Sequence, residues 1–428
     1  MNTKKDKSVR SWQLKIFWLL WGGYASYYLC RVNFAVAQPL ILKEFPDWTM
    51  AQIGAIPSIY AIFYAAGQMI NGTIGQKYGT RFMMSIAIFI AAITNLLFSQ
   101  VSSYSSMLII WAVNGFAQSA GWPLVVQTIS DWNTSKRRGA IVGLLSTCYQ
   151  VGNVLSWLLA GFLCDAYGWR TAFWVPSLIL LPMSLAFAFF LRNKPEDAGL
   201  APIRDDYGIS NDKGETTITA EITMMEALKL TLSNKLLWIL GIGYFCMNSV
   251  RYSFMNWSIQ YMADFQGRSI KGSAFTAILI PLVGSLGAIS AGWASDTIFG
   301  KRRAPVCAIM LFGLAVVCAV FVYIPQGNYG FAALMLAFAG FLIYGPDMLM
   351  SGAAAIDIGH PRAAGVAAGF TMCLGSSGSI FSGAGIGYLK DIAAGDWSLV
   401  FWILSGLSIL SALLMTSIWN ARPKGAAK

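Results

Sequence analysis

The chain has 428 residues, of which 56% are apolar and 11% charged, against roughly 25% charged in a soluble domain. Mean hydropathy is +0.58, and 30 basic against 19 acidic residues give a net charge of +11. So few charged side chains cannot coat a soluble fold of this size, which excludes a soluble enzyme and points to a polytopic membrane protein, a class in which glycine and interfacial tryptophan are common (42 and 16 here).

A helix needs about 20 apolar residues to cross ~30 Å of hydrocarbon. In chain order, the predicted spans are 14–41, 52–75, 81–100, 106–130, 139–164, 171–191, 236–263, 273–296, 304–324, 330–356, 364–389 and 399–420. A polar stretch interrupts them from Arg192 to Lys235, with an amphipathic EALKLTLSNK near its end. The expected fold is therefore an all-α membrane protein of twelve transmembrane helices in two pseudo-symmetric six-helix bundles. Its parts are an N-terminal bundle (1–191), a cytoplasmic central linker (192–235) and a C-terminal bundle (236–428).

Lys and Arg set the orientation, because cytoplasmic loops collect them. With the N-terminus inside, only Lys43, Arg170, Arg268, Lys271 and Lys390 fall outside, and Arg31 and Arg251 fall within spans. All other basic residues lie inside, including Lys136, Arg137, Arg138, Lys301, Arg302 and Arg303. This predicts a multi-pass inner (plasma) membrane protein with both termini cytoplasmic. The charge is topological and does not form a nucleic-acid patch. Seven cysteines in apolar stretches, at no metal or disulfide spacing, read as small core residues, and the lone His360 sits in a polar connection. No cofactor or metal is expected.

The halves repeat each other. Gly72, after the second span, opens a stretch that runs to Arg81; Gly292, after the eighth, opens one with Asp296 and Arg302. Gly72 and Gly292 are 220 positions apart, as are Arg31 and Arg251; Asp165 and Asp391 differ by 226. Glycine lets helices approach, and an Asp296/Arg302 type of pairing can latch their cytoplasmic ends, more weakly in the first copy, where Gln76 replaces the acid.

Repeats of this kind place a site near the midplane between the halves. Arg31 and Arg251 occupy equivalent places, and an Arg at that depth costs roughly 2.5–3.5 kcal/mol on insertion scales. Two guanidiniums on opposite walls form a clamp for an oxyanion. The competing account is a structural ion pair, but Asp347 is the one carboxylate near mid-span and cannot neutralise both. Tyr24 and Tyr28 share the face of Arg31, and Tyr252 follows Arg251; their hydroxyls can serve phosphate oxygens, the alternative for such tyrosines being an interfacial belt.

The twelve spans, the repeat and the G-x-x-x-D-x-x-x-G-x-R motif resemble the major facilitator superfamily. YASYYLCRVNFAVAQPL around Arg31, AGWPL, NKLLW, VRYSFMNW around Arg251, FLIYGP and RAAGVAAGF are similar to the organophosphate:phosphate antiporter family, which includes glycerol-3-phosphate and hexose-6-phosphate transporters and a hexose-phosphate sensor. The resemblance implies that Arg31 and Arg251 bind the phosphate and that Tyr24, Tyr28, Trp122 and Tyr344 line the pocket. It also implies a rebuilt remainder. Tyr149 stands where the glycerol-3-phosphate branch has His, Gln68 where it has Lys, Pro281 where it has Glu and Ser377 where it has Tyr, while Asp347 replaces an apolar residue. Asp347 is then expected to bond sugar hydroxyls, to read an amine on a zwitterionic phosphate or phosphonate, or to carry a proton.

The expected activity is alternating-access transport of an organophosphate in exchange for inorganic phosphate, by a monomer in the lipid bilayer. The competing reading is a sugar-phosphate receptor of the same fold acting with a sensor kinase. A membrane enzyme would need a catalytic His, a metal cluster or paired carboxylates. Export of cationic drugs conflicts with two pocket arginines.

Overall fold

A computed structural model of the chain describes residues 2–203, 224–300, 302–360 and 363–421. Its helices group into twelve rods, several of them in two pieces. In the first half, span 1 comprises Asn2–Leu29 and Asn33–Glu44, span 2 Met50–Tyr78, span 3 Thr80–Phe98, span 4 Tyr104–Gln118 and Gly121–Trp132, span 5 Ser135–Leu145 and Thr147–Tyr167, and span 6 Thr171–Phe190. In the second half, span 7 is Lys235–Asp264, span 8 Ile270–Ala277 and Leu279–Thr297, span 9 Arg303–Val322, span 10 Tyr329–Met348 continuing to Ile358, span 11 Ala364–Ile380 continuing to Ile392, and span 12 Ser398–Ser417.

Nine stretches among the described residues are long and apolar enough to cross a membrane on composition alone. The other three rods fall short for identifiable reasons. Span 1 is broken at Cys30–Val32, span 7 carries Asn248, Arg251, Asn256 and Gln260, and span 11 is diluted by glycine and serine. The amphipathic stretch of the linker folds as the helix Met224–Leu232, whose described part turns 76° into span 7. Asn234 makes that corner: its side chain caps Leu236 N and donates to Ile358 O at 3.1 Å. Six of the seven cysteines are buried as expected, but Cys373 is exposed.

Among the described residues, the hydrogen bonds between the halves join the first three turns of span 2 to the last turns of span 11. Ser58 donates to Ile380 O at 2.6 Å and accepts from Ala384 N at 2.9 Å. Asp391 accepts from Met50 N and Ala51 N at 2.9 and 2.8 Å. The backbones touch here: a Cβ on Gly54 would lie 2.4 Å from Gly383 O, and one on Gly383 would lie 2.3 Å from Gly54 O. The halves are thus sealed at the end opposite the termini, and the cavity lies beneath that seal.

Candidate functional site

Span 1 breaks at Arg31 because its backbone is held there from three sides. A helix end leaves carbonyls without an intrahelical donor. The carbonyl of Cys30 instead accepts from the buried amides of Asn95, Asn114 and Gln118, each at 3.0 Å. Trp157 Nε1 donates to Val32 O at 3.2 Å, and Asn33 donates to Asn95 Oδ1 and to Ala172 O at 3.0 and 2.9 Å. At about 1 kcal/mol per satisfied bond, and more for one left unmade, these six bonds fix the turn that aims Arg31 into the cavity.

The cavity has a volume of about 110 Å³ and lies between spans 1, 2, 4 and 5 on one side and spans 7 and 11 on the other. Arg31 and Arg251 both line it, as expected from their equivalent places. Their surroundings differ. The Arg31 guanidinium carbon lies 5.5, 5.4 and 4.7 Å from the ring centres of Tyr28, Tyr60 and Tyr64, within range for cation–π attraction. No described carboxylate pairs with it. Arg251 sits in an unbroken helix, 5.2 and 5.1 Å from the rings of Tyr252 and Tyr344, and its Nη1 bonds Asp347 Oδ1 at 2.8 Å. Tyr244 donates to the same Oδ1 at 3.0 Å. The Arg251 Nε is buried without a partner.

Of the predicted residues, Tyr28, Arg31, Arg251 and Tyr252 form the cavity wall. Tyr24, Trp122 and Tyr149 do not; they pack on one another as an aromatic block behind Tyr28, with ring centres 4.7–6.2 Å apart. Gln68 lies one turn past Tyr64 and off the wall, and Ser377 of span 11 and Tyr344 of span 10 are off the wall too. Asp347 also stands off the wall, behind Arg251. Its Oδ1 is taken by Arg251 and Tyr244, while 17% of its side chain stays exposed.

Sequence reasoning missed Tyr60, Tyr64, Asn153, Asn256, Ser376 and Ser379, all on the wall. Tyr60 and Tyr64 were detectable as phenols four residues apart in an apolar helix, stacked here at 5.8 Å. Asn153 and Asn256 are amides isolated in apolar runs.

The predicted latch needs one correction. Asp296 pairs with Arg303 at 2.6 Å and not with Arg302, which donates instead to Phe299 O at 3.0 Å and to Asn420. Arg303 also reaches Asp357 at 3.2 Å, so it ties span 8 to span 10. The physical reason is position: Arg302 lies at the N-cap of span 9, while Arg303, within its first turn, faces both carboxylates. In the other half, Arg81 donates to Ala188 O at 2.6 Å, holding span 3 to the end of span 6. The surroundings of Gly72 and Gln76 lie outside the described residues.

Two six-helix halves around one buried cationic cavity define a membrane carrier fold. The sequence profile of the Major Facilitator Superfamily matches residues 20–383. A bacterial homologue of the lysosomal transporter Spinster, solved inward-facing and unoccupied, is similar in fold, with a TM-score of 0.80 at 14% identity over 97% of this chain and 99% of that one. The glycerol-3-phosphate transporter of Bacillus subtilis is 30% identical over 98% of this chain and 95% of its own length. A probable hexose phosphate transport protein of Chlamydia pneumoniae is 29% identical over 98% and 93%, and the membrane sensor protein UhpC of Salmonella typhimurium 28% identical over 97% and 94%. The chain belongs to the major facilitator superfamily and, within it, to the organophosphate:inorganic phosphate antiporter family.

Proposed function

We propose that this protein carries a phosphate-bearing organic anion, a sugar phosphate or glycerol phosphate in class, across the inner (plasma) membrane. The observation that carries the reading is the pair of arginines on opposite walls of one cavity, one of them with no described carboxylate partner. A phosphate held on Arg31 removes the penalty for enclosing an unpaired guanidinium as the cavity closes. The halves 1–191 and 236–428 then rock about the bound anion as alternating access requires, with 192–235 as the tether. Both termini and the tether face the cytoplasm, inorganic phosphate is the returning anion, and a monomer suffices. Arg31 and Arg251 hold the phosphate, Tyr28 and Tyr252 supply hydroxyls, and Asp296 with Arg303 fastens the terminus-bearing end of the second half.

The similarity to a membrane sensor supports a second reading, in which the same site binds a sugar phosphate and signals. Transport in proteoliposomes separates the two. Vesicles loaded with inorganic phosphate are expected to take up labelled hexose 6-phosphate or glycerol 3-phosphate far faster than empty vesicles. Ligand-induced thermal stabilisation without any uptake supports the sensor instead.

A further inference from the structure

The two arginines meet the cavity with different net charge. Among the described residues, Arg31 and Arg251 are the charged ones on its wall. Arg31 is surrounded by the phenol rings of Tyr28, Tyr60 and Tyr64, which attract the cation without cancelling its charge. Arg251 is neutralised from behind by Asp347, whose Oδ1 lies 2.8 Å from its Nη1 and is fixed by Tyr244 at 3.0 Å. An anion in the cavity therefore meets one uncompensated positive charge and one guanidinium that offers hydrogen bonds but no net charge.

We infer that Asp347 sets the charge state of the bound substrate, so that the site takes the phosphate group in its singly charged form. The inference rests on the phosphate-site reading above. The argument is electrostatic. A doubly charged phosphate would bring one negative charge too many into a low-dielectric space, close to the Asp347 carboxylate behind the guanidinium, and that repulsion is strong where water is scarce. A singly charged phosphate cancels Arg31 and leaves the enclosed cavity neutral. It also keeps an O–H that can donate to Asn153, Asn256, Ser376 or Ser379 on the wall. Asp347 acts through Arg251, whose Nη1 it bonds, so it is a positioning residue.

The titration that matters is the ligand's own. Around the pair stand Tyr244 and Tyr252 of span 7 and Tyr344 of span 10, and around Arg31 stand Tyr28, Tyr60 and Tyr64, with Tyr24, Tyr149 and Cys148 behind them. Phenols and thiols ordinarily release protons near about pH 10 and 8.5. Among the described residues, the charged groups that spans 8 and 9 bring toward span 10 are Asp296 and Arg303, the latter pairing with both Asp296 and Asp357 at the terminus-bearing end. Span 11 brings Cys373, which is exposed, and Lys390, paired with Asp264 at the sealed end. A phosphate monoester loses its second proton near about pH 6.

The test measures affinity in the purified full-length protein by ligand-induced thermal stabilisation between pH 5.5 and 8. The probes are hexose 6-phosphate, which titrates, and hexose 6-sulfate, which stays singly charged. Wild-type affinity for the phosphate is expected to fall about tenfold per pH unit above the ligand's second pKa, while affinity for the sulfate stays flat. In Asp347→Asn the fall disappears, and the doubly charged phosphate at pH 8 binds at least about tenfold tighter than in wild type. A variant that keeps the wild-type pH profile overturns the inference. So does a wild type whose affinity for the phosphate rises with pH, and this comparison needs no variant to fold. Failure of both probes at every pH overturns the phosphate-site reading itself, and the inference with it.

Discussion

The two walls of the cavity share one plan and differ in how each arginine is held. Arg31 and Arg251 are 220 positions apart. Arg31 sits at a break in its helix and is aimed by six hydrogen bonds that involve spans 3, 4, 5 and 6. Arg251 sits in an unbroken helix and is aimed by a carboxylate. The first wall holds its cation through backbone geometry and leaves the charge free. The second holds its cation by an ion pair and cancels the charge. A repeat thus conserves where a side chain enters the site, while its electrostatic role is set by neighbours the repeat does not copy.

The largest expected effect breaks this comparison at its first member. Arg31→Ala removes the free charge and both arms of a bidentate contact, each charge-assisted bond being worth about 1.5–3 kcal/mol. Stabilisation by hexose 6-phosphate or glycerol 3-phosphate is expected to vanish while the melting temperature of the unliganded protein changes little, because the rings of Tyr28, Tyr60 and Tyr64 lose only cation–π contacts. Retained binding would show that Arg31 is a packing residue.

Arg251→Ala should behave differently. It leaves Asp347 with Tyr244 as its remaining described partner, and a stranded, mostly buried carboxylate costs up to about 3 kcal/mol. The unliganded protein is expected to melt lower, and Arg251→Ala/Asp347→Ala should recover most of the loss. A double-mutant cycle with no coupling energy would mean that the pair is incidental.

Much of the fold was legible because membrane insertion forces regularity. Twelve apolar runs, the 220-residue offset and the rarity of buried charge all follow from the cost of polar groups in hydrocarbon. The same logic found Arg31, Arg251 and Asp347. What it could not supply is depth and rotation. Tyr24 and Tyr28 lie on one helical face, yet Tyr28 meets Arg31 while Tyr24 turns into the block with Trp122 and Tyr149. The helix break at Cys30–Val32 leaves no Pro or Gly signal, since it is stabilised by hydrogen-bond partners that lie 62 to 139 residues away. The exchange of Arg302 for Arg303 as the partner of Asp296 is a matter of rotation by one residue, finer than any spacing argument can resolve.

The sealed end repeats the lesson with smaller stakes. Span 2 begins with a reciprocal cap, Thr49 Oγ1 accepting from Gln52 N and Gln52 Oε1 from Thr49 N, and span 8 begins with Ser269 accepting from Gly272 N. Thr49 and Ser269 are again 220 apart. Among the described residues, only span 2 receives a second cap from the other half, the Asp391 carboxylate on Met50 N and Ala51 N. Asp165, its counterpart, makes no such bond among the described residues. A carboxylate on free N–H groups at a helix N-terminus contributes about 0.5–2 kcal/mol. Asp391→Asn should therefore shift the halves toward opening at this end, read as faster labelling of a cysteine placed at Ala61 on the cavity wall. Asp165→Asn should not, and equal labelling in both variants would break the asymmetry.

The smallest effect concerns the ion pairs beside those caps. Glu44 and Asp264, also 220 apart, each find a base, but Glu44 takes the exposed Arg170 at 2.7 Å, while Asp264 takes Lys390, whose side chain is 4% exposed, at 3.4 Å. The hydrogen bond from Arg170, reinforced by one from Trp169, holds the Glu44 carboxyl below the ordinary range. A group lowered on folding stabilises the protein above its unfolded value, near about 4.3, and that contribution is lost as pH falls through the lower folded value. Being more than a third exposed, the pair is worth less than about 1 kcal/mol and is screened by salt. Glu44→Gln should lower the melting temperature slightly at pH 7 in dilute buffer, by less at pH 3 and not at all in 1 M salt. An equal deficit under all three conditions would mean that Glu44 contributes through packing against Trp169, and that the charge of this exposed pair carries nothing.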